Sequence, residues 1–376
     1  MPTATLPYAA RLDRLCGEIQ TLGADVAVLT PGPDLEYLLG FSVASHERLS
    51  CLIVPVEGPP LLVVPELERL GWSGSSAEDT VPITTWLDGQ DPYRLVAESI
   101  LASTRTIAVG EHMPAGHALR IRAAVPGSEL KLAGPAIAEL RVHKAALEVE
   151  ALAAAGAAID RVQRRIGEWL HPGRTEDEVA ADIAAAIIAE GHQRADFVIV
   201  GSGPNGASPH HEASDRVIEP GDVVVIDIGG PHAGAETGLS GYFSDCTRTF
   251  QVAGAPDPEF AAVYEIVRRA QQAGFEAARP GVPAEQVDAV ARAVITHAGY
   301  GPYFITRTGH GIGLEVHEDP YMVAGNSRPL ESGMTFSIEP GIYLPGRFGV
   351  RIEDIVAVTE DGAVRLNECP RELTVI

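Results

Sequence analysis

Four carboxylates stand where a folded chain seldom leaves them unattended. Asp227 sits within residues 223–229 (VVVIDIG), a run of β-branched side chains that reads as a central strand, and Asp245 lies in 241–250 (GYFSDCTRTF). Glu339 closes the apolar run 334–341 (MTFSIEPG), and Glu353 follows in 349–354 (GVRIED). A carboxylate buried in a strand costs several kcal/mol unless it is paired or holds a metal. Taken singly, each has a plain reading: Asp227 caps a turn with Gly229 and Gly230, and Asp245 pairs with Arg248. Taken together, the four would push up one another's pKa values. Two divalent cations roughly 3.5–4 Å apart remove that conflict, and an oxygen-rich set suits Mn²⁺, Co²⁺ or Zn²⁺. A nitrogen ligand is expected beside them. Residues 308–318 (TGHGIGLEVHE) offer His310 between glycines, where backbone can come close to an ion, and His317 seven positions on. Pro209-His210-His211 supplies a further candidate.

Strands must position these groups. Alternation puts Phe243, Asp245 and Thr247 on one face and Tyr242, Ser244 and Cys246 on the other. The runs 222–228 and 242–252 are expected to pair around the Gly/Ala-rich stretch 229–241, and 334–338 with 349–358 to form a second hairpin around Pro345-Gly346. An Ala-rich helix from 144 to 170 stops at His171-Pro172-Gly173. Thr175 and Glu178 then form a capping box for the next helix, and two more are expected at 258–278 and 283–297. Ahead of these, helices at 10–22, 91–102 and 115–124 alternate with strands at 24–29 and 106–109 and a hairpin over 49–64. The reading is an α/β domain over 1–140 and an α+β domain over 141–376. Residues 201–206 (GSGPNG) match G-x-G-x-x-G, but no helical pattern opens there and Pro204 lacks a donor, so no nucleotide site is expected.

Composition narrows the partners. With 28 Lys+Arg against 51 Asp+Glu, the net charge of −23 argues against nucleic acid and anionic membranes. No apolar run approaches the roughly 20 residues of a membrane span. The first fifteen residues lack the apolar core of a signal peptide, and four cysteines without C-x-x-C spacing suit a reducing compartment, so a cytoplasmic location is expected.

The segments PHH, VVIDIG, SDCTRTF, GHGIGLEVHE, SIEPGIY and VRIED, taken in order, resemble the proline-specific metallopeptidases of the pita-bread fold: Xaa-Pro dipeptidase (prolidase) and Xaa-Pro aminopeptidase. The likeness covers about residues 140–376, and YLLGF at 37–41 extends it into the first domain. It implies a creatinase-like N-terminal domain and a pita-bread catalytic domain. It implies two divalent ions per subunit, Mn²⁺ first with Co²⁺ or Zn²⁺ as alternatives, held by Asp227, Asp245, His310, Glu339 and Glu353. In that assignment Asp245 and Glu353 bridge the ions, Asp227 binds one, and His310 with Glu339 binds the other. His210 and His317 match histidines that contact substrate, and Tyr343 and Arg351 match positions close to it. A homodimer is also implied.

The reaction so implied is hydrolysis of the imide bond of dipeptides ending in proline by a metal-activated hydroxide, with Glu339 as general base. Asp34 for the amine and Arg48 for the carboxylate are the expected grips on the dipeptide ends. Xaa-Pro aminopeptidase is the alternative, followed by a creatinase-like small-molecule hydrolase or lyase; a binding protein without catalysis would show a lost ligand. Two departures stand out. Asp227 and Asp245 are eighteen positions apart, longer than the resemblance implies, so 231–240 reads as an inserted loop expected to reach over the site. Thr306 stands four before His310, where many relatives have a further histidine.

Overall fold

In the computed structural model, residues 6–44, 46–255 and 257–376 are described. The chain divides into two compact units, Met1–Arg141 and Val142–Ile376. The first is built on six short strands: β1 (Val26–Leu29), β2 (Cys51–Pro55), β3 (Leu61–Pro65), β4 (Ile83–Trp86), β5 (Thr106–Val109) and β6 (Glu129–Leu132). Their order in the sheet is β4-β3-β2-β1-β5-β6. The β2–β3 hairpin turns over Pro59-Pro60 as expected, and the parallel pairs β3–β4, β1–β5 and β5–β6 need helical crossovers. β1 and β2 are buried along their whole length, which is why they read as unbroken apolar runs. Val28, Ile53, Val63, Ile107 and Trp86 form the core of this unit.

The second unit opens with a helix over Ala146–Gln163, shorter than the predicted 144–170. The chain tightens into a 3₁₀ turn at Ile166–Glu168, beside Gly167. The capping box forms as expected: the Glu178 N–H donates to Thr175 Oγ1 (3.2 Å) and the Thr175 N–H to Glu178 Oε2 (3.1 Å). Helix Glu176–Ala189 leads into β7 (Phe197–Ser202), β8 (Val223–Pro231) and β9 (Phe243–Gln251), an antiparallel meander. Helices Pro258–Ala277 and Ala284–His297 follow. The remaining strands are β10 (Gly309–Gly311), β11 (Glu318–Met322), β12 (Thr335–Ile338), β13 (Gly341–Leu344), β14 (Phe348–Arg351), β15 (Asp354–Val358), β16 (Ala363–Arg365) and β17 (Thr374–Val375). They give sheets ordered β17-β9-β8-β7 and β11-β10-β12-β15-β16, with β13-β14 as a separate ribbon.

The β8–β9 hairpin is present, but the expected second hairpin is broken into two ladders. β12 pairs with β15 from Thr335↔Ala357 to Ile338↔Asp354, and pairing resumes between β13 and β14 at Gly341↔Arg351. Two residues per strand lie between the ladders: Glu339-Pro340 on one side, Ile352-Glu353 on the other. Pro340 has no N–H to give, so a ladder cannot run through it. Among the described residues, no helix is long and apolar enough to cross a membrane.

Candidate metal centre

The broken ladder and the β8–β9 hairpin deliver the four carboxylates to one place. In the hairpin Asp227 faces Thr247 and Asp245 faces Gly229, so Asp227, Asp245 and Thr247 share a face, as alternation predicts. Glu339 and Glu353 enter from the interruption between the ladders. Thr247 Oγ1 donates to Glu353 Oε2 (2.6 Å), and the Glu353 N–H donates to the Thr247 carbonyl (3.1 Å). The Glu339 N–H is held by the Thr308 carbonyl (2.7 Å), and Ser337 Oγ donates to Glu339 Oε1 (3.1 Å).

His310 completes the group from β10. Its Nε2 lies 3.1 Å from Glu339 Oε1 and 3.6 Å from Asp245 Oδ2. The glycines around it serve a different purpose from the expected approach to an ion. A Cβ on Gly309 would stand 1.9 Å from the Ser337 carbonyl oxygen, and one on Gly311 2.2 Å from that of Asp319. They are glycine so that β10 fits between its two neighbouring strands.

Three oxygens of this cluster have no partner among the described residues: Asp227 Oδ1, Asp245 Oδ1 and Glu353 Oε1 are buried and accept no hydrogen bond from them. Buried acceptors are normally satisfied. Asp245, His310 and Glu353 each place a ligand atom within 4.8 Å of the other two. Burial, then the Glu353, Asp227 and Glu339 charges, push Asp245 well above the ordinary carboxylate range; burial, then Glu339 and Asp227, do the same to Glu353. Burial also pushes on Glu339, but the hydrogen bond and charge of His310, aided by Arg351, outweigh it and hold that carboxyl low. Orphaned buried oxygens, a raised carboxylate pair and an adjacent imidazole form a donor set suited to divalent cations.

The cluster lies in a cleft of about 840 Å³ that is also lined by His210, His317, Tyr343 and Arg351. His210 is exposed, while His317 stacks edge-on against His310 at 4.2 Å between ring centroids. Burial, with His310 and Arg307 nearby, lowers the His317 pKa to about 4, so its ring is neutral at pH 7. Arg351 and Tyr343 are built into the wall. Arg351 donates to Asp227 Oδ2 (2.6 Å), Thr247 Oγ1 (3.1 Å), Tyr343 Oη (2.9 Å) and the Pro209 carbonyl (3.2 Å). These contacts hold Asp227 Oδ2 from one side of the cleft.

Asp34 and Arg48 are committed within their own unit. Asp34 Oδ1 accepts from Arg141 (2.9 Å), and Arg48 grips both oxygens of Asp88 (2.9 and 3.0 Å) and Glu47 (2.7 Å). The 231–240 stretch does not line the cleft; it folds back, with Ala233 donating to Gly191 and Gly234 to His232 Nδ1. The sequence reading missed Thr247 and Ser337 as carboxylate holders, although the Asp245-x-Thr247 and Ser337-x-Glu339 spacings already put each pair on one face. The G-x-G-x-x-G match opens a 3₁₀ turn, Gly203–Ala207, and no α-helix. Its Gly206 carbonyl lies against β14, where a Cβ on Gly349 would stand 1.9 Å from it.

Residues 150–360 match metallopeptidase family M24, and residues 11–143 match the creatinase/prolidase N-terminal domain. The chain is 52% identical to the probable dipeptidase PepE of Mycobacterium tuberculosis over 370 residues, 98% of this chain and 96% of the relative. It is 36% identical to the Xaa-Pro dipeptidase of Lactobacillus helveticus, covering 97% of this chain and 98% of that one. The crystal structure of dipeptidase PepE from Mycobacterium ulcerans superposes with a TM-score of 0.91 at 52% identity, over 98% of each chain.

Proposed function

This chain belongs to metallopeptidase family M24, with a creatinase/prolidase N-terminal domain ahead of the catalytic one, and from that premise we propose that it is an Xaa-Pro dipeptidase whose metal ligands are Asp227, Asp245, His310, Glu339 and Glu353. The observation that carries the assignment is the set of three buried, unpartnered carboxylate oxygens on residues lining one cleft, together with the ligand atoms that Asp245, His310 and Glu353 place within 4.8 Å of one another. The oxygen-dominated donor set favours Mn²⁺, with Co²⁺ or Zn²⁺ as the alternatives. Divalent ions held there supply Lewis acidity toward water and toward the scissile carbonyl.

The chain's own groups supply the proton path and the orientation. Glu339 lines the cleft with its carboxyl held low, so it is an acceptor at neutral pH. It takes the proton of the attacking water and passes it to the proline nitrogen as the C–N bond breaks and the new carbonyl C–O bond forms. An amine anion is too basic to leave, so that nitrogen must gain a proton as the bond breaks. His317, neutral beside His310, presents a ring N–H or lone pair to the carbonyl region without adding charge. His210, exposed in the lining of the cleft, is the second histidine placed to contact substrate. Arg351 and Thr247 hold Asp227 and Glu353 in place.

The test is steady-state hydrolysis of Met-Pro and Met-Pro-Gly by the Mn²⁺-loaded protein beside a metal-stripped control. Cleavage of Met-Pro alone is expected. Cleavage of the tripeptide with loss of its N-terminal residue makes the protein an aminopeptidase, and silence on both overturns the reading.

A further inference from the structure

A second cavity lies on the far side of the strand that carries Asp245. Along β9, Asp245 and Thr247 share one face, and Arg248 and Phe250 take the other. A cavity of about 160 Å³ opens there, lined by Phe250, Tyr264, Cys369 and Gln163, with Arg164 and Glu372 at its exposed rim. Gln163, the last residue of the helix Ala146–Gln163, is 2% exposed. Its amide nitrogen donates to the carbonyls of Cys246 (2.9 Å) and Ile226 (3.2 Å). Both partners are acceptors, so the orientation of the amide is fixed. Gln163 Oε1 is buried and takes no hydrogen bond from the described residues. A buried amide oxygen normally has a donor.

The inner wall is neutral. Burial pushes the Cys369 thiol up to about 11, so it is uncharged at pH 7. Phe250 and Tyr264 offer aromatic carbon, and the Tyr264 hydroxyl is spent on the carbonyls of Arg371 and Glu372 (both 3.2 Å). Arg164 gives one hydrogen to the Glu368 carbonyl (2.9 Å) and stands 3.8 Å from Asp160 Oδ2, so part of its donor fork is left for a ligand. A simple anion would meet Glu372, and a simple cation Arg164; a zwitterion meets each with the opposite charge. The volume holds about six to eight non-hydrogen atoms. A carboxylate, an amine donor and a short apolar body within that size describe a free amino acid.

One side chain joins this cavity to the metal centre. Arg248 lines it, is 2% exposed, and donates to the carbonyls of Glu353 (2.5 Å), Thr247 (2.8 Å) and Cys369 (2.7 Å). We propose that the cavity is a regulatory site for a small free amino acid, whose nitrogen donates to Gln163 Oε1, whose carboxylate pairs with Arg164 and whose apolar body packs on Phe250 and Tyr264. Proline fits that size, and its place as first candidate rests on the dipeptidase reading above, which releases it at every turnover. An occupant bears on Arg248 and so on the backbone of Glu353, which couples the site to metal binding.

Calorimetric titration of the Mn²⁺-loaded wild type, R164Q and T374W tests the site. The probes are L-proline, cyclopentanecarboxylate, which lacks the N–H, and pyrrolidine, which lacks the carboxylate. Thr374 lines the cavity from β17, so tryptophan there fills it. L-proline is also a product of the cleft, and the variants separate the two places. Wild type is expected to bind two L-proline molecules per chain. R164Q weakens one of them about tenfold or more, T374W loses it, and neither analogue replaces it. Met-Pro hydrolysis without added proline stays at the wild-type rate in both variants. In a chelator competition, L-proline shifts the Mn²⁺ affinity of wild type about fivefold or more beyond its effect on T374W. Binding of a single L-proline with equal affinity in all three proteins overturns the proposal, as does no binding to wild type. Equal Mn²⁺ shifts in wild type and T374W overturn the coupling through Arg248. None of these titrations needs turnover. Failure to hydrolyse Met-Pro therefore ends the dipeptidase reading alone, and the cavity is judged by binding.

Discussion

Asp245 and Glu353 are the residues on which metal binding turns, because Asp245 is buried against the charges of Glu353, Asp227 and Glu339, Glu353 is buried against those of Glu339 and Asp227, and each keeps one oxygen without a partner among the described residues. Glu353→Gln removes a ligand oxygen and also one of the buried like charges, while the amide oxygen can still accept from Thr247. Bound metal is therefore expected to fall and activity to drop at least about 100-fold. The metal-free protein should melt at the same temperature or about 2 °C higher. Elemental analysis and a melting curve on the stripped protein check both halves, and unchanged metal content sinks the ligand assignment. Arg351→Lys tests the supporting contacts. Lysine keeps the charge but cannot serve Asp227, Thr247 and Tyr343 at once. Metal affinity should weaken about 10- to 100-fold in a fluorescent-chelator competition, and wild-type affinity in this variant would show that Asp227 needs no orienting.

At the scale of elements, the chain was legible wherever periodicity or a cap was local. The β8–β9 hairpin, the face shared by Asp245 and Thr247, and the helix start at Thr175 all follow from spacing. The break between the β12–β15 and β13–β14 ladders did not, since alternation alone lets a hairpin run through Glu339-Pro340. The proline was the available signal. Helix Glu176–Ala189 shows a second kind of hidden information. Glu176, fully buried, accepts from Ser202, Asn205, Ser214 and His211 (2.6 to 3.2 Å), so a helix start anchors the loop that carries His210. Beyond that helix, His192 donates to or accepts from Ser244 Oγ (2.7 Å) and stacks on His232, at the base of the 231–240 stretch. Burial, then the neighbouring His232, lowers its pKa to about 4. A depressed histidine means that the unfolded chain binds the extra proton between pH 6.5 and 4. Its contribution to stability is thus present above about pH 6.5 and lost as the pH falls toward 4, by about 3 kcal/mol in all. His192→Asn should flatten this acid limb in denaturant titrations at pH 4, 5 and 7; an unaltered slope would assign the acid sensitivity elsewhere.

Over the whole molecule, the family-level reading came from motifs in the second unit together with YLLGF at 37–41 in the first, whereas the expected roles of Asp34 and Arg48 had no such motif behind them, and both are engaged by partners in their own unit. Among the described residues, Val28, Ile53 and Ile107 belong to a cluster within the first unit, while Ile226, Cys246, Phe336 and Val356 belong to clusters within the second. Metal removal should therefore act unevenly. Without cations, Asp245 and Glu353 have folded pKa values above their unfolded ones, so their contribution is complete below about pH 4 and is lost as the pH rises toward the folded values. Glu339 runs the other way, but it is one group against two. Cations displace those protons, so the stabilisation they give should grow from pH 5 to pH 8. Melting temperatures of stripped and Mn²⁺-saturated protein should diverge across that range. Hydrogen exchange at pH 8 should locate the difference in β8, β9, β12 and β15, leaving the six-stranded sheet of the first unit unchanged. A gap that narrows with rising pH, or loss of protection spread equally over both units, would mean that the buried carboxylates are not where the metal-dependent stability resides.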